Sequence, residues 1–145
     1  DPDSQAAFWG LKLRNNTADI CRSVVEGLSF EFKLLINELN KEQITSVLAM
    51  GGGTKNNSWM QIKSDVLSIP IKTLNVKDAV TYGAAKLGAK ALKDENILKN
   101  KDEKIKKTFY PNKKNNDLYE KLYIRIYKHL YDNQKNITTK LNEII

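Results

Sequence analysis

The sequence predicts an α/β domain that is rich in helices and has few strands. Segments with apolar residues at helical spacing alternate with two short apolar runs, 44–50 and 71–74, that contain β-branched residues. The first run ends in three successive glycines, Gly51 to Gly53, as is typical of a buried strand in a mostly parallel sheet. Both observations indicate strands that are connected through helices.

Four helices are predicted from the spacing of the apolar residues. They cover about 18–40, 57–67, 79–92 and 116–131. Asn16 and Asp19 resemble a capping box at the start of the first helix. Asp78 can cap the third helix, and Pro70 ends the second.

Side chains on the first and third helices lead to expectations about packing. Cys21 falls on the apolar face of the first helix, so we expect it in the core. Glu26 and Glu31 lie off that face, where acidic side chains serve solubility. In the third helix, Gly83 and Gly88 suggest the close approach of another backbone, because glycine in a helix interior costs about 1 kcal/mol relative to alanine.

The last helix carries two rows of side chains at a spacing of four residues. One row is Leu118, Leu122, Ile126 and Leu130, and the next is Tyr119, Tyr123, Tyr127 and Tyr131. Stacked tyrosines can bind single-stranded nucleic acid, but we favour the half-buried edge of an amphipathic helix. His129 lies between the rows, and with one His and one Cys in the chain no metal site is predicted.

Length and composition exclude several classes of protein. The 145 residues contain no apolar run of the roughly 18 residues that a membrane-spanning helix needs. Cys21 has no partner for a disulfide within the chain. The start, Asp1-Pro2-Asp3, lacks a Met and the features of a signal peptide. Because two strands are too few for a complete doubly wound sheet, we expect a piece of a longer protein.

The net charge of +7 is concentrated in one segment. Between Lys86 and Lys114 there are ten lysines and four acidic residues, a net charge of +6. The part from about 93 to 115 has no periodicity and contains Pro111, so we predict a loop. Arginine, which recognises phosphate and guanine in a bidentate manner, is absent there, so a solvated surface is favoured over a nucleic-acid interface.

The glycine turn is the motif most suited to binding a ligand. Gly51, Gly52 and Gly53 permit unusual backbone angles and close approach of a ligand, and the following helix offers its positive N-terminus to a phosphate. The motif is neither a Walker A loop nor the dinucleotide-binding fingerprint. Taken alone, it is equally compatible with a plain tight turn and with a phosphate or nucleoside site.

Five stretches in a fixed order resemble motifs of the FGGY family of carbohydrate kinases. They are Ala6–Leu11, Asp19–Gly27, Gly51–Ile62, Asp65–Ile71 and Asp78–Ala85. The resemblance extends over roughly residues 1–92, and within the family it is greatest to the branch that phosphorylates xylulose. The helix at about 116–131 is also usual in these enzymes.

The resemblance implies the later part of the second ribonuclease H-like domain, which has the actin-like ATPase architecture. It further implies a cytoplasmic kinase that transfers phosphate from ATP, with Mg²⁺, to a sugar. By position in the motif, Gly51, Gly52 and Gly53 would line the nucleotide, and Asn56, which is serine in some relatives, would lie near the base. All 145 residues would belong to this domain, with a core over about 1–92 and a basic excursion over about 93–115.

In the family, the catalytic aspartate, the sugar pocket and the first phosphate loop precede the region that this chain resembles. We therefore assign no catalytic and no metal-binding residue, and we expect the chain alone to be inactive. The sugar is left open, because glycerol, ribulose, gluconate, fuculose and rhamnulose are also substrates in this family.

Two hypotheses from other functional classes are compatible with the sequence. A basic nucleic-acid-binding module would use Lys86 to Lys114 and the tyrosine row. An interaction domain would pair an unpartnered sheet edge with a second copy to form a homodimer. The kinase reading is favoured over both, and nucleic acid is not an expected partner.

Overall fold

A computed structural model describes residues 5–39, 44–74, 76, 78–93 and 105–144. Residues 1–4 lie outside the described residues. So do residues 94–104, on which part of the predicted excursion falls. The elements in chain order are α1 (Thr17–Leu39), β1 (Val47–Ala49), a 3₁₀ turn (Gly52–Lys55), α2 (Asn57–Leu67), β2 (Ile71–Leu74), α3 (Ala79–Leu92), β3 (Ile105–Phe109), α4 (Lys113–Leu122), a π-helical segment (Tyr123–Tyr127) and α5 (Lys128–Asn142).

Among the described residues, three strands form one sheet in the order β1-β2-β3. β1 and β2 are parallel, with Val47 opposite Ile71, as expected for strands that are joined through a helix. β2 and β3 are antiparallel, with Ile71 opposite Phe109. The predicted α/β class, rich in helices and poor in strands, is confirmed.

The caps on α1 and α3 have the predicted partners. Asn16 and Asp19 exchange backbone-to-side-chain hydrogen bonds of 3.0 and 3.1 Å, which is the reciprocal geometry of a capping box. The Asp78 carboxylate accepts from the backbone N–H groups of Val80 and Thr81, both at 3.1 Å. These hydrogen bonds satisfy N–H groups that have no partner within the helix.

The prediction of a loop over about 93–115 is wrong where β3 and the start of α4 lie. Ile105–Phe109 pairs with β2, although its first three residues are exposed and Phe109 alone is buried. An edge strand with lysines on it has little hydrophobic pattern, because one side of the strand has no neighbour to pack against. α4 begins at Lys113, where Asn112 accepts a hydrogen bond from the N–H of Asn115.

The last helical region extends to Asn142, beyond the predicted end at Tyr131, and it buries its tyrosines more than its leucines. Tyr119 is 3 % exposed and Tyr123 is 9 % exposed, whereas Leu118 is 56 % exposed. The tyrosine rings surround Phe30 of α1: Tyr119 meets it edge-on at 5.9 Å, and Tyr127 stacks on it at 4.7 Å. Tyr119 and Tyr123 are therefore core, and their hydroxyl groups find partners on α1. Tyr127 is half-buried and Tyr131 is exposed, so the predicted half-buried edge describes only the later part of the row.

The side chains of α1 that contact these tyrosines differ from what the sequence predicted for Glu26 and Glu31. Glu26 accepts a hydrogen bond of 2.7 Å from the Tyr119 hydroxyl and pairs with Arg22 at 2.7 Å. Glu31 accepts one of 2.6 Å from the Tyr127 hydroxyl. Both glutamates thus hold the last helical region on α1 and do not serve solubility alone. Cys21, expected in the core, is exposed, because α1 packs through a different face.

The two glycines of α3 have no close neighbour among the described residues, although Ala89 on the same helix is buried. A Cβ added at Gly83 or Gly88 would meet no atom within 4 Å. Val80 and Leu87 on the same helix are 84 % and 71 % exposed. The close backbone approach that these glycines suggested is absent from the described part of the chain.

The buried tyrosine predicts a specific alkaline response. Burial and the hydrogen bond to Glu26, opposed by Arg22, raise the pKa of Tyr119 to about 12, against about 10 in the unfolded chain. The unfolded state therefore loses this proton first, so the contribution of Tyr119 to stability is intact below pH 10 and is lost between pH 10 and 12. We expect the difference between the tyrosinate absorbance titrations of the chain and of Tyr119→Phe to have its midpoint near pH 12. A midpoint near pH 10 would contradict the burial of this hydroxyl.

A second cluster of buried side chains fixes the sheet against α2. It consists of Met60, Leu67, Ile71 and Phe109, with Val47, Ala49 and Trp59 packed on its edge. The cluster includes residues of α2, β2 and β3, and β1 lies against it, so the connection from β1 to α2 is held at both ends. That connection is the glycine turn.

The C-terminal end of α2 is held by side chains from two other helices. The buried ammonium group of Lys33, on α1, donates a hydrogen bond of 2.8 Å to the carbonyl of Val66 and also pairs with Glu120 of α4. The amide of Asn116 donates to the carbonyl of Asp65 at 2.8 Å. These carbonyls belong to the last turn of a helix, which otherwise lacks backbone donors. α1, α2 and α4 are therefore joined at this point.

Candidate nucleotide site at the glycine turn

The backbone of the glycine turn is shaped by Gly51. Its φ of +93° lies in a region that residues with a Cβ rarely adopt. Its carbonyl accepts two hydrogen bonds from Thr54, one of 2.7 Å from the hydroxyl and one of 3.2 Å from the N–H. The carbonyl of Gly53 accepts from the N–H of Asn56 at 3.1 Å. A glycine at position 51 is thus required by the turn itself, whether or not a ligand binds.

The three glycines differ in the space beside them. A Cβ added at Gly51 or Gly52 would meet no atom within 4 Å, and both residues are exposed. A Cβ added at Gly53 would lie 3.1 Å from Cζ3 of Trp59. Gly52 therefore faces open space and has no unusual φ, so the folded chain itself does not require a glycine there. Gly53 faces inwards, onto the indole ring.

Asn56 caps α2. Its side-chain oxygen accepts a hydrogen bond of 3.0 Å from the N–H of Trp59, which satisfies one donor of the first turn. The helix N-terminus carries a partial positive charge next to the open side of the turn. The structure therefore places Gly51, Gly52, Gly53 and Asn56 on one connection that ends at the N-terminus of α2, with Gly51, Gly52 and Asn56 exposed and Gly53 half-buried.

Two neighbours of the turn were not predicted as part of the site. Trp59 lies half-buried on α2 with its ring against Gly53. The ammonium group of Lys63 lies 4.5 Å from the centroid of that ring, and burial lowers the pKa of Lys63. Their spacing of four residues on one helix was the available signal, but it does not by itself indicate a site.

Other features of the described residues lie away from this turn. A cavity of about 940 Å³ is lined by the N-terminal segment, α1 and the last helical region. No three His, Cys, Asp or Glu side chains in the described part of the chain come together as a metal site. The described residues therefore do not build a Mg²⁺ site by themselves. None of the described helices is both long and apolar enough to cross a membrane.

Comparison with known proteins identifies the family. The sequence model described as "FGGY family of carbohydrate kinases, C-terminal domain" matches residues 1–92. This match covers more than half of the chain. The chain belongs to the FGGY family of carbohydrate kinases.

Among relatives of this FGGY chain, a xylulose kinase from Staphylococcus epidermidis is 30% identical over 146 residues, which is 97% of this chain and 29% of that protein. Glycerol kinases and L-fuculokinases are also similar. The chain thus spans less than a third of the length of the xylulose kinases that it matches.

Solved structures show the same fold. The ligand-bound xylulose kinase from Lactobacillus acidophilus has a TM-score of 0.83 at 23% identity, covering 97% of this chain and 29% of that one. The Plasmodium falciparum glycerol kinase with ADP has a TM-score of 0.67 at 22% identity, covering 87% and 27%. The FGGY chain therefore has the actin-like ATPase fold of these sugar kinases, as its sequence predicted.

Proposed function

We propose that this chain is the C-terminal, nucleotide-binding part of a longer ATP-dependent kinase that phosphorylates a hydroxyl of a pentulose, with xylulose as the favoured substrate. Membership of the FGGY family and the similarity to xylulose kinases over 97% of the chain support this proposal. The observation that carries the nucleotide assignment is the open glycine turn at the N-terminus of α2. The proposed kinase would act in the cytoplasm, where ATP is available.

The geometry of the turn suits a nucleotide. Because Gly51 and Gly52 leave the space of a side chain empty, a ribose or phosphate can approach the backbone closely. The N-terminal turn of α2 presents N–H groups and a positive potential to a phosphate. The Asn56 side-chain oxygen is engaged by the helix, so a contact with the base would come from its amide nitrogen. Serine, the alternative in some relatives, is also a good helix cap.

The remaining parts of the reaction would lie outside the chain. Phosphoryl transfer needs a group that accepts the proton of the sugar hydroxyl, and groups that clamp the phosphates. We assign no proton-accepting group to this chain, and beyond the backbone of the glycine turn and the N-terminus of α2 we assign it no phosphate-binding group. We expect Mg²⁺ to arrive on the phosphates of ATP, its usual mode of binding in kinases. Asp65, the best-buried carboxylate described, accepts hydrogen bonds from Gln61 and Asn115, which gives it a structural role.

The proposal is tested with the complete gene product that contains this chain. We expect release of ADP from ATP that depends on xylulose, with kcat/KM at least about tenfold above the values for glycerol and L-fuculose, a difference of about 1.4 kcal/mol in transition-state stabilisation. The 145-residue chain alone, assayed at the same concentration, is the matched control and should show no turnover.

Each part of the proposal has its own contrary result. A complete gene product that releases no ADP with any of the three sugars would overturn the kinase assignment. A preference for glycerol or L-fuculose would overturn the choice of xylulose and leave the reaction class intact. Turnover by the chain alone would show that its residues include a catalytic group.

A further inference from the structure

The glycine turn rests on the ring of Trp59. A Cβ on Gly53 would come within 3.1 Å of Cζ3 of that ring, which is closer than ordinary van der Waals contact. The carbonyl of the same glycine closes the 3₁₀ turn by accepting from Asn56. A shift of the indole ring would therefore move Gly53, and with it the open side of the turn.

Hydrogen bonding does not fix this ring. The indole Nε1–H is buried, and no acceptor among the described residues contacts it. The ring is instead held by Lys63, whose ammonium group lies 4.5 Å from its centroid. The same ammonium group lies 4.8 Å from the ring centroid of Phe32 on α1. A cation in contact with two aromatic rings is attracted to both and restrains their orientation.

We propose that Trp59, held by Lys63 and Phe32, is a positioning residue for the nucleotide. Through its contact with Gly53 it fixes the position of the glycine turn relative to α2. This inference rests on the proposed function, since it concerns the site where the nucleotide would bind. Trp59 need not touch the nucleotide for this role. Lys63 and Phe32 act through the ring and extend the support of the turn to α1.

The test replaces Lys63 in the complete gene product. Lys63→Met keeps the length of the side chain and removes the cation, so we expect the Kd for ADP and the KM for ATP to rise about threefold to tenfold. The KM for xylulose and kcat should change less than twofold, because the sugar and the transferred phosphate are held elsewhere. Lys63→Arg, which also places a cation over aromatic rings, should have the same Kd for ADP as the unaltered gene product. Lys106→Met, an exposed lysine on β3, is the matched control and should bind ADP normally.

Fluorescence gives a readout that does not depend on activity. The contribution of Trp59 is the difference between the emission of the gene product and that of Trp59→Phe. We expect this contribution to change on removal of the cation in Lys63→Met, and also in Phe32→Leu, without nucleotide present. Thermal unfolding identifies any variant that has lost its fold, and Lys63→Arg then remains as the informative comparison.

The outcomes separate the two proposals. If the unaltered gene product binds no ADP, the proposed function fails and this inference fails with it. If it binds ADP, and Lys63→Met binds ADP equally well with unchanged emission from Trp59, the positioning role alone is overturned. A loss of kcat with unchanged Kd for ADP would also overturn it, since that pattern would indicate a role in the chemical step.

Discussion

Gly52→Val in the complete gene product should weaken ADP binding at least tenfold, a loss of about 1.4 kcal/mol or more, while the protein stays folded. Gly52 has no unusual φ, and a Cβ there meets no atom of the chain within 4 Å. The Cβ of valine therefore meets no atom of the folded chain, and the side chain fills the space in which we propose that the nucleotide lies. Isothermal calorimetry with ADP gives the affinity, and thermal unfolding gives the stability.

Two other glycines separate loss of ligand binding from loss of fold. Gly88→Ala introduces a Cβ into open space on α3, a helix that is not part of the turn, and should leave the Kd for ADP unchanged. Gly51→Ala should lower stability by about 1 to 2 kcal/mol, because a φ of +93° is strained for alanine. Unchanged ADP affinity in Gly52→Val would remove this glycine from the nucleotide site.

The helices that the sequence predicts best are those with a strong apolar period and a recognisable cap. α2 and α3 have the predicted bounds, 57–67 and 79–92, and Asp78 caps α3 as expected. Each of these signals is local, because a cap and a periodic face are encoded within a few turns of the helix. The parallel pairing of β1 with β2 followed from the helix between them.

The sequence was least informative where distant partners decide burial. Tyr119 is buried and Tyr127 is half-buried where Glu26 and Glu31 on α1 accept hydrogen bonds from their hydroxyl groups, a match between segments more than 90 residues apart. β3 was missed because its lysines resemble solvated surface and its pairing with β2 is non-local. For the site, the glycines identified the turn, but the support from Trp59 depends on a contact that spacing alone does not specify.

Asp65→Ala should lower the free energy of unfolding of the chain by about 3 to 5 kcal/mol, since three hydrogen bonds to one buried carboxyl group are lost together. Asp65 is 2 % exposed, and its carboxylate accepts hydrogen bonds from the Asn112 backbone at 2.7 Å, Gln61 at 2.8 Å and Asn115 at 2.9 Å. Alanine would remove the acceptor of all three hydrogen bonds where α2 meets the start of α4, and among the described residues only the Gln61 amide would keep another acceptor, the carbonyl of Tyr110. Urea unfolding followed by circular dichroism gives the change in free energy.

The conservative variant tests whether hydrogen bonding, and not volume, explains the loss. In Asp65→Asn, one oxygen can still accept from the Asn112 backbone and Gln61, as Oδ1 of the aspartate does. The new amide nitrogen would face the Asn115 side chain, whose amide can turn its oxygen towards it. We therefore expect a loss of about 1 to 2 kcal/mol for this variant. Asp117→Ala, an exposed aspartate on α4, should stay within about 0.5 kcal/mol of the unaltered chain. Equal stability of Asp65→Ala and Asp117→Ala would show that the carboxylate of Asp65 does not join α2 to α4, and the reason for an acidic residue at that buried position would then have to be sought in function.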